Sequence, residues 1–130
     1  MKYICFTNNN LIASSLDCLD SVDTIYIDLE KLNKSERQGH TNSWISNHTY
    51  EDILNIRNNV KSSLLGVRID PVNLNTGKQI NRVINNGADV IMLPMFYSLE
   101  EVKKVISMIN NRVFLDLLFE TPQSLEIIDL

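Results

Sequence analysis

The chain has 130 residues, of which 44% are hydrophobic and 22% are charged, and its formal net charge is −4. This composition is typical of one ordinary globular domain and shows none of the signs of disorder. Its lysines and arginines are scattered rather than clustered, which argues against nucleic acid as a partner. No apolar run approaches the ~20 residues of a membrane span, so we expect no membrane partner either.

The amino terminus enters a strand-like run directly, without the basic and long apolar regions of a signal peptide. We therefore expect a cytoplasmic protein. The two cysteines, Cys5 and Cys18, lack the spacing of a metal or redox site, and we expect both to be small buried apolar groups.

Short apolar stretches alternate with helical patterns along the whole chain. Helix starts are indicated by Thr49 with Asp52, by Ser98 with Glu101, and by the pair Thr121-Pro122. This alternation predicts an α/β fold with right-handed crossovers and a parallel sheet in the order 1-2-3-4-5. Strands are predicted at about 2–6, 24–29, 64–69, 89–93 and 113–119, and helices at about 11–19, 77–86 and 98–110, with two more beginning at 49 and 121.

Charged residues follow three of the predicted strands. Asp28 and Glu30 share one face of the second strand with Tyr26, Arg68 closes the third strand, and Glu120 follows the fifth. Parallel strands present these groups at one edge, so we expect one shared site there. The polar loop 31–48 is longer than most strand-to-helix connections, which is typical of functional loops.

Four stretches together resemble the HpcH/HpaI aldolase and citrate lyase β-subunit family. The resemblance covers most of the chain, from the second strand onward. The four stretches are IYIDLE (25–30), VRIDP (67–71), NNGADVIMLPMF (85–96) and LLFETPQSL (117–125).

The resemblance implies a TIM-barrel lyase that uses Mg²⁺, or Mn²⁺, to cleave or form a carbon–carbon bond beside a carbonyl. Its substrate would be a 2-oxo acid or an acyl-CoA, and the metal would stabilise an enolate. By motif position, Glu120 is the expected metal ligand, and Arg68 is the expected substrate-binding and catalytic arginine.

The resemblance assigns further catalytic and binding positions. Asp28 and Glu30 match the acidic pair that orders the site or its water. In the long loop, His40 and His48 are candidates for proton transfer or substrate contact. Arg37 and Gln38, in the same loop, are candidates for substrate binding.

Length limits what this chain could form alone. A full barrel takes about 250 residues, and a sheet of about five strands leaves its edges unpaired. We therefore expect residues 1–130 to form a single partial barrel, truncated before strand six, which lacks the family's second metal ligand. It would act as a homo-oligomer or with a complementing chain. The alternative is a catalytically incomplete fragment that serves as a binding or interaction module.

Overall fold

The structure is a computed structural model, and it describes residues 1–32 and 46–128. The strands of the described chain form one parallel sheet in the order β1-β2-β3-β4-β5, so the predicted fold class and strand order are confirmed. The elements are β1 (Tyr3–Phe6), α1 (Asn10–Asp17), β2 (Val22–Asp28), α2 (Tyr50–Asn59), β3 (Leu64–Arg68), α3 (Thr76–Asn85), β4 (Val90–Leu93), α4 (Leu99–Ile109), β5 (Phe114–Leu117) and α5 (Pro122–Glu126).

The two faces of the sheet have different coverings. Alternate strand residues such as Ile27, Val67 and Ile91 are fully buried against the helices, and they form the main core. We call this helix-covered side the outer face. The opposite side, the inner face, carries Tyr26, Asp28, Gly66, Arg68, Val90, Met92, Phe114 and Asp116, as the strand register requires.

The inner face is concave. The Tyr26 hydroxyl donates a hydrogen bond to Oδ2 of Asp116, although β2 and β5 are separated by two other strands. Three strand spacings in a flat sheet would put these backbones roughly 14 Å apart. Because a tyrosine and an aspartate bridge that separation, the sheet must curve toward this face.

Capping residues start three of the helices at the positions that the sequence predicts. The Thr49 amide donates to Asp52 Oδ2 at 2.7 Å, and Ser98 forms a capping box with Glu101. Thr121 caps α5, whose first residue is Pro122. These contacts satisfy amides that a helix leaves unpaired in its first turn.

The predicted element ends differ from the observed ones at several places. β5 ends at Leu117 rather than at 119, because the chain leaves the ladder before it reaches the cap of α5. The prediction of two buried cysteines is wrong: Cys18 is exposed and Cys5 is only partly buried. Cys18 is the C-cap residue that follows α1, and its thiol donates to the Ser14 carbonyl at 3.3 Å.

Apolar surface remains uncovered at both edges of the described sheet. Ile4 on β1 is 52% exposed and Phe114 on β5 is 69% exposed, and both belong to the inner face. Leu11 on α1 is 80% exposed. Among the described residues, no helix combines the length and the apolar character needed to cross a membrane.

Candidate functional site

The candidate site lies on the inner face, at the carboxyl ends of β2 and β3. Asp28 is the last residue of β2 and Arg68 is the last residue of β3, and the two are register partners across the parallel ladder. Glu30 follows two residues after Asp28, and its side chain reaches the same arginine. The structure therefore brings these three residues together at one edge of the sheet, and their catalytic roles stay predictions.

Arg68 is held from several sides. Its Nε donates to Asp28 Oδ1 at 2.9 Å and its Nη2 donates to Asp28 Oδ2 at 2.7 Å, which makes the pair bidentate. Glu30 Oε2 lies 3.5 Å from the same Nε. The guanidinium carbon is 5.0 Å from the centroid of the Phe6 ring, a cation–π distance.

The electrostatics favour a permanently charged guanidinium. Burial alone would lower the pKa of Arg68, but the hydrogen bonds and charge of Asp28, with the charges of Glu30 and Glu120, raise it above its ordinary value. The acidic side chains are deeply buried, with 8% of Asp28 and 4% of Glu30 exposed, whereas 20% of the Arg68 side chain is exposed. The arginine is therefore the member of the pair that faces solvent.

A cavity of about 210 Å³ opens beside Arg68. It is lined by Phe6, Asp28, Ser46, His48 and Arg68. Arg68 directs Nε and Nη2 to Asp28, while its Nη1 donates no hydrogen bond to any residue in the described ranges. An edge of the guanidinium is thus available to an anionic oxygen in the cavity.

His48 joins the site from the segment before α2. Its Nδ1 accepts a hydrogen bond from the Asp28 amide at 2.9 Å, and its own amide donates to Ser46 Oγ at 3.1 Å. A ring nitrogen that accepts carries no proton, so this bond places the proton of the neutral ring on Nε2. The structure therefore places His48 beside Asp28, and its role in proton transfer or substrate contact stays a prediction.

Glu120 lies at the same end of the sheet, beyond β5. It is exposed, and its Oε1 accepts a hydrogen bond from the Met95 amide at 3.1 Å. Met95 has a φ of 47°, in the left-handed region that a residue with a side chain rarely adopts. The strained residue after β4 therefore helps to orient Glu120.

The described residues do not assemble a metal site. Within residues 1–32 and 46–128, no group of three or more His, Cys, Asp or Glu side chains could hold a metal ion. The other predicted loop residues, Arg37, Gln38 and His40, lie outside the described residues. Their roles and the metal-binding role of Glu120 stay predictions.

Sequence reasoning missed the contact between Tyr26 and Asp116. Tyr26 is fully buried and lies across Gly66, where an added Cβ would come within 2.2 Å of Tyr26 Cε1. Burial, and then the hydrogen bond and charge of Asp116, raise the pKa of the Tyr26 hydroxyl, which therefore stays protonated as a donor. The available signals were a glycine inside a strand and an aspartate between leucines.

Asp70 has a structural role at the rim of the site. Its Oδ1 accepts from the amides of Lys31 and Leu32 at 2.7 and 2.9 Å, and its Oδ2 accepts from Gln79 Nε2 at 3.1 Å. These bonds tie the chain that follows β2 to the chain that follows β3. Asp70 thus fixes the start of the long loop.

Among solved structures, the chain is similar to one described as "QR15, an Aldolase". The TM-score is 0.61 at 18% sequence identity, and the match covers 99% of this chain and 64% of that chain. The fold is a partial TIM barrel. Under two thirds of the aldolase chain has a counterpart in this one, which agrees with a sheet of five strands where a closed barrel has eight.

Two other comparisons give no match. No protein-family model matches the chain, and no curated protein matches it. The similarity to the aldolase therefore shows the fold of the partial barrel, and membership of the HpcH/HpaI family stays a prediction. Asp28 and Arg68 lie at the carboxyl ends of their strands, which is the end where TIM-barrel enzymes place their active sites.

Proposed function

We propose that this partial barrel carries the substrate-binding centre of a carbon–carbon lyase of the aldolase type, which acts on a 2-oxo acid or an acyl-CoA. The observation that carries the proposal is Arg68, which Asp28 holds by two hydrogen bonds and which lines a cavity. The aldolase similarity and the resemblance of the strand-end residues support the same class of reaction.

The chemistry requires positive charge beside the carbonyl oxygen. When the carbon–carbon bond next to a carbonyl breaks, its electron pair moves to the oxygen and forms an enolate. Arg68 would donate hydrogen bonds to that oxygen or to the neighbouring carboxylate, while Asp28 prevents the guanidinium from turning away. His48, with its proton on Nε2, would exchange a proton with the substrate across the same cavity.

The resemblance adds a divalent cation to this proposal, with Glu120 as a ligand of Mg²⁺ or Mn²⁺. The described residues do not by themselves fit such an ion, because they offer no cluster of three ligands. No step proposed for Arg68 or His48 depends on it. If a metal binds, it would polarise the substrate's oxygens.

Oxalate is a suitable probe for the anion site, because it has the planar shape and charge of the enolate of a 2-oxo acid. We expect calorimetry to detect oxalate binding to the chain and Arg68→Lys to weaken it about tenfold, since lysine retains the charge but loses the bidentate geometry. Lys103→Gln, at an exposed residue of α4, is the control. Equal oxalate affinity in both variants would contradict the proposal.

A second titration tests the metal. With oxalate present, Mg²⁺ or Mn²⁺ should bind the chain, and Glu120→Gln should abolish that binding while Glu100→Gln, an exposed acid of α4, leaves it unchanged. Binding that survives Glu120→Gln would exclude Glu120 as the ligand.

The alternative is a binding or interaction module in which the barrel is incomplete. The specific observation in its favour is the apolar surface at both sheet edges, where Ile4 and Phe114 are exposed. We propose that another copy of the chain or a complementing chain covers these edges, because unpaired strand edges favour association. Native mass spectrometry tests this: a chain that stays monomeric at micromolar concentration would count against a homo-oligomer.

A further inference from the structure

A second, larger cavity opens on the same end of the barrel, outside the Arg68 site. It has a volume of about 320 Å³ and lies between the first turns of α2 and α3. Tyr50, Asn73, Asn75, Lys78 and Arg82 contribute to its wall. The two cationic side chains and the side-chain amides in this wall indicate a ligand other than an apolar one.

The two cations lie on one face of α3. Lys78 and Arg82 are four residues apart, so their charges repel one another along the helix surface. Neither forms an ion pair with a residue in the described part of the chain. The repulsion lowers the stability of the isolated helix, and no described carboxylate pairs with either cation to relieve it.

The acid that lines this cavity with the two cations is held by other hydrogen-bond donors. Asp70 lines the cavity, but its two oxygens accept hydrogen bonds from two backbone amides and from Gln79. Asp70 therefore holds the wall of the cavity to the chain that follows β2. With Asp70 included, the lining residues that the structure describes carry two positive charges and one negative charge, so a net positive charge remains.

Arg82 is also held in place. Its guanidinium carbon lies 3.8 Å from the centroid of the Tyr50 ring, which orients the planar group without using its N–H donors. Asn75, the residue before α3, lines the same cavity, and its side chain makes no capping hydrogen bond to α3. A fixed guanidinium, an ammonium group and an amide thus border one open space.

We propose that this cavity binds a dianion of the phosphate class. A phosphate oxygen would accept from the N–H edge of Arg82 while another approaches Lys78, an arrangement that gives each cation a direct anionic partner. The anion could be free phosphate or the phosphate group of a larger molecule. The proposal rests on this cavity alone and holds whether or not the Arg68 site acts as a lyase.

Titration with inorganic phosphate, followed by calorimetry, tests the site. We expect saturable binding that weakens as salt is added, with the dissociation constant about tenfold higher in Lys78→Gln and in Arg82→Gln. Lys104→Gln removes an exposed lysine of α4 and should leave phosphate binding unchanged. Oxalate binding at Arg68 should be unaffected by Lys78→Gln, which separates the two sites.

A parallel titration with glycerol phosphate distinguishes the sources of the anion. Tighter binding of the ester than of inorganic phosphate indicates that the cavity holds the phosphate group of a larger molecule, and equal binding indicates free phosphate. The proposal is overturned if neither compound binds saturably at millimolar concentration. It is also overturned if Lys78→Gln and Lys104→Gln weaken binding equally, since the effect would then be one of net charge.

Discussion

Gly66→Ala should destabilise the fold far more than a glycine-to-alanine change normally does. A Cβ at this position would lie 2.2 Å from Cε1 and 2.5 Å from Cδ1 of the buried Tyr26 ring, so the ring must move. Overpacking of this kind costs about 1–3 kcal/mol, and loss of the hydrogen bond from Tyr26 to the Asp116 carboxylate adds about 1.5–3 kcal/mol. Removing a glycine from a strand returns about 0.5–1 kcal/mol. We expect a net loss of about 3 kcal/mol.

Urea unfolding followed by circular dichroism measures this loss. Gly77→Ala is the matched control, because its added Cβ would meet Met108 Sδ at an ordinary 3.7 Å, and alanine favours the helix by about 0.5–1 kcal/mol. In a Tyr26→Leu background, Gly66→Ala should cost much less, since the ring is absent. A loss below about 0.5 kcal/mol for Gly66→Ala in the original chain would refute the reasoning.

Three further predictions concern single residues. Asp17 accepts hydrogen bonds from the amides of residues 61–63. Burial alone would raise the pKa of Asp17, but these hydrogen bonds lower it overall. The ionised carboxylate should therefore stabilise the folded chain fully above the unfolded pKa of 3.8, and this contribution should be lost as the pH falls through the folded pKa. Urea unfolding between pH 2 and 6 should show this loss, and Asp17→Asn should reduce it; an identical pH profile in the variant would contradict it. Gly87→Ala should lower the free energy of unfolding by about 1–2 kcal/mol, because φ is +102° and the new Cβ would lie 3.1 Å from the Arg57 side chain. An unchanged midpoint of urea unfolding would show that the backbone relaxes. Thr121→Ala should lower the free energy of unfolding by about 1–2 kcal/mol, because it removes the α5 cap and the hydrogen bond from the Thr121 hydroxyl to the Phe96 carbonyl. An unchanged urea midpoint would show that the cap contributes nothing.

The sequence was sufficient for the architecture because its signals are local. Alternation in β2 places Tyr26, Asp28 and Glu30 on the inner face, and the caps at Thr49 and Ser98 set the starts of two helices. Strand order followed from regular alternation of strands and helices. Each of these features depends on residues close together along the chain.

The contacts inside the site were less accessible to sequence reasoning. The pairing of Arg68 with Asp28 could be anticipated, because both residues end strands that are adjacent in the predicted order. The contact of Tyr26 with Asp116 depends on the curvature of the sheet across two intervening strands, which no local pattern encodes. Similarly, the role of Asp70 depends on the path of the chain after β2.

The central claim is that Asp28 holds Arg68 so that one edge of its guanidinium can bind an anion. Nitrogen-15 NMR of the arginine side chains measures this directly, with the Arg68 signals assigned from Arg68→Lys. We predict that the Arg68 Nε proton exchanges slowly with water before any ligand is added, and that oxalate shifts the Arg68 signals more than those of Arg82 or Arg112. A rapidly exchanging Nε proton, or oxalate shifts confined to other arginines, would contradict the account.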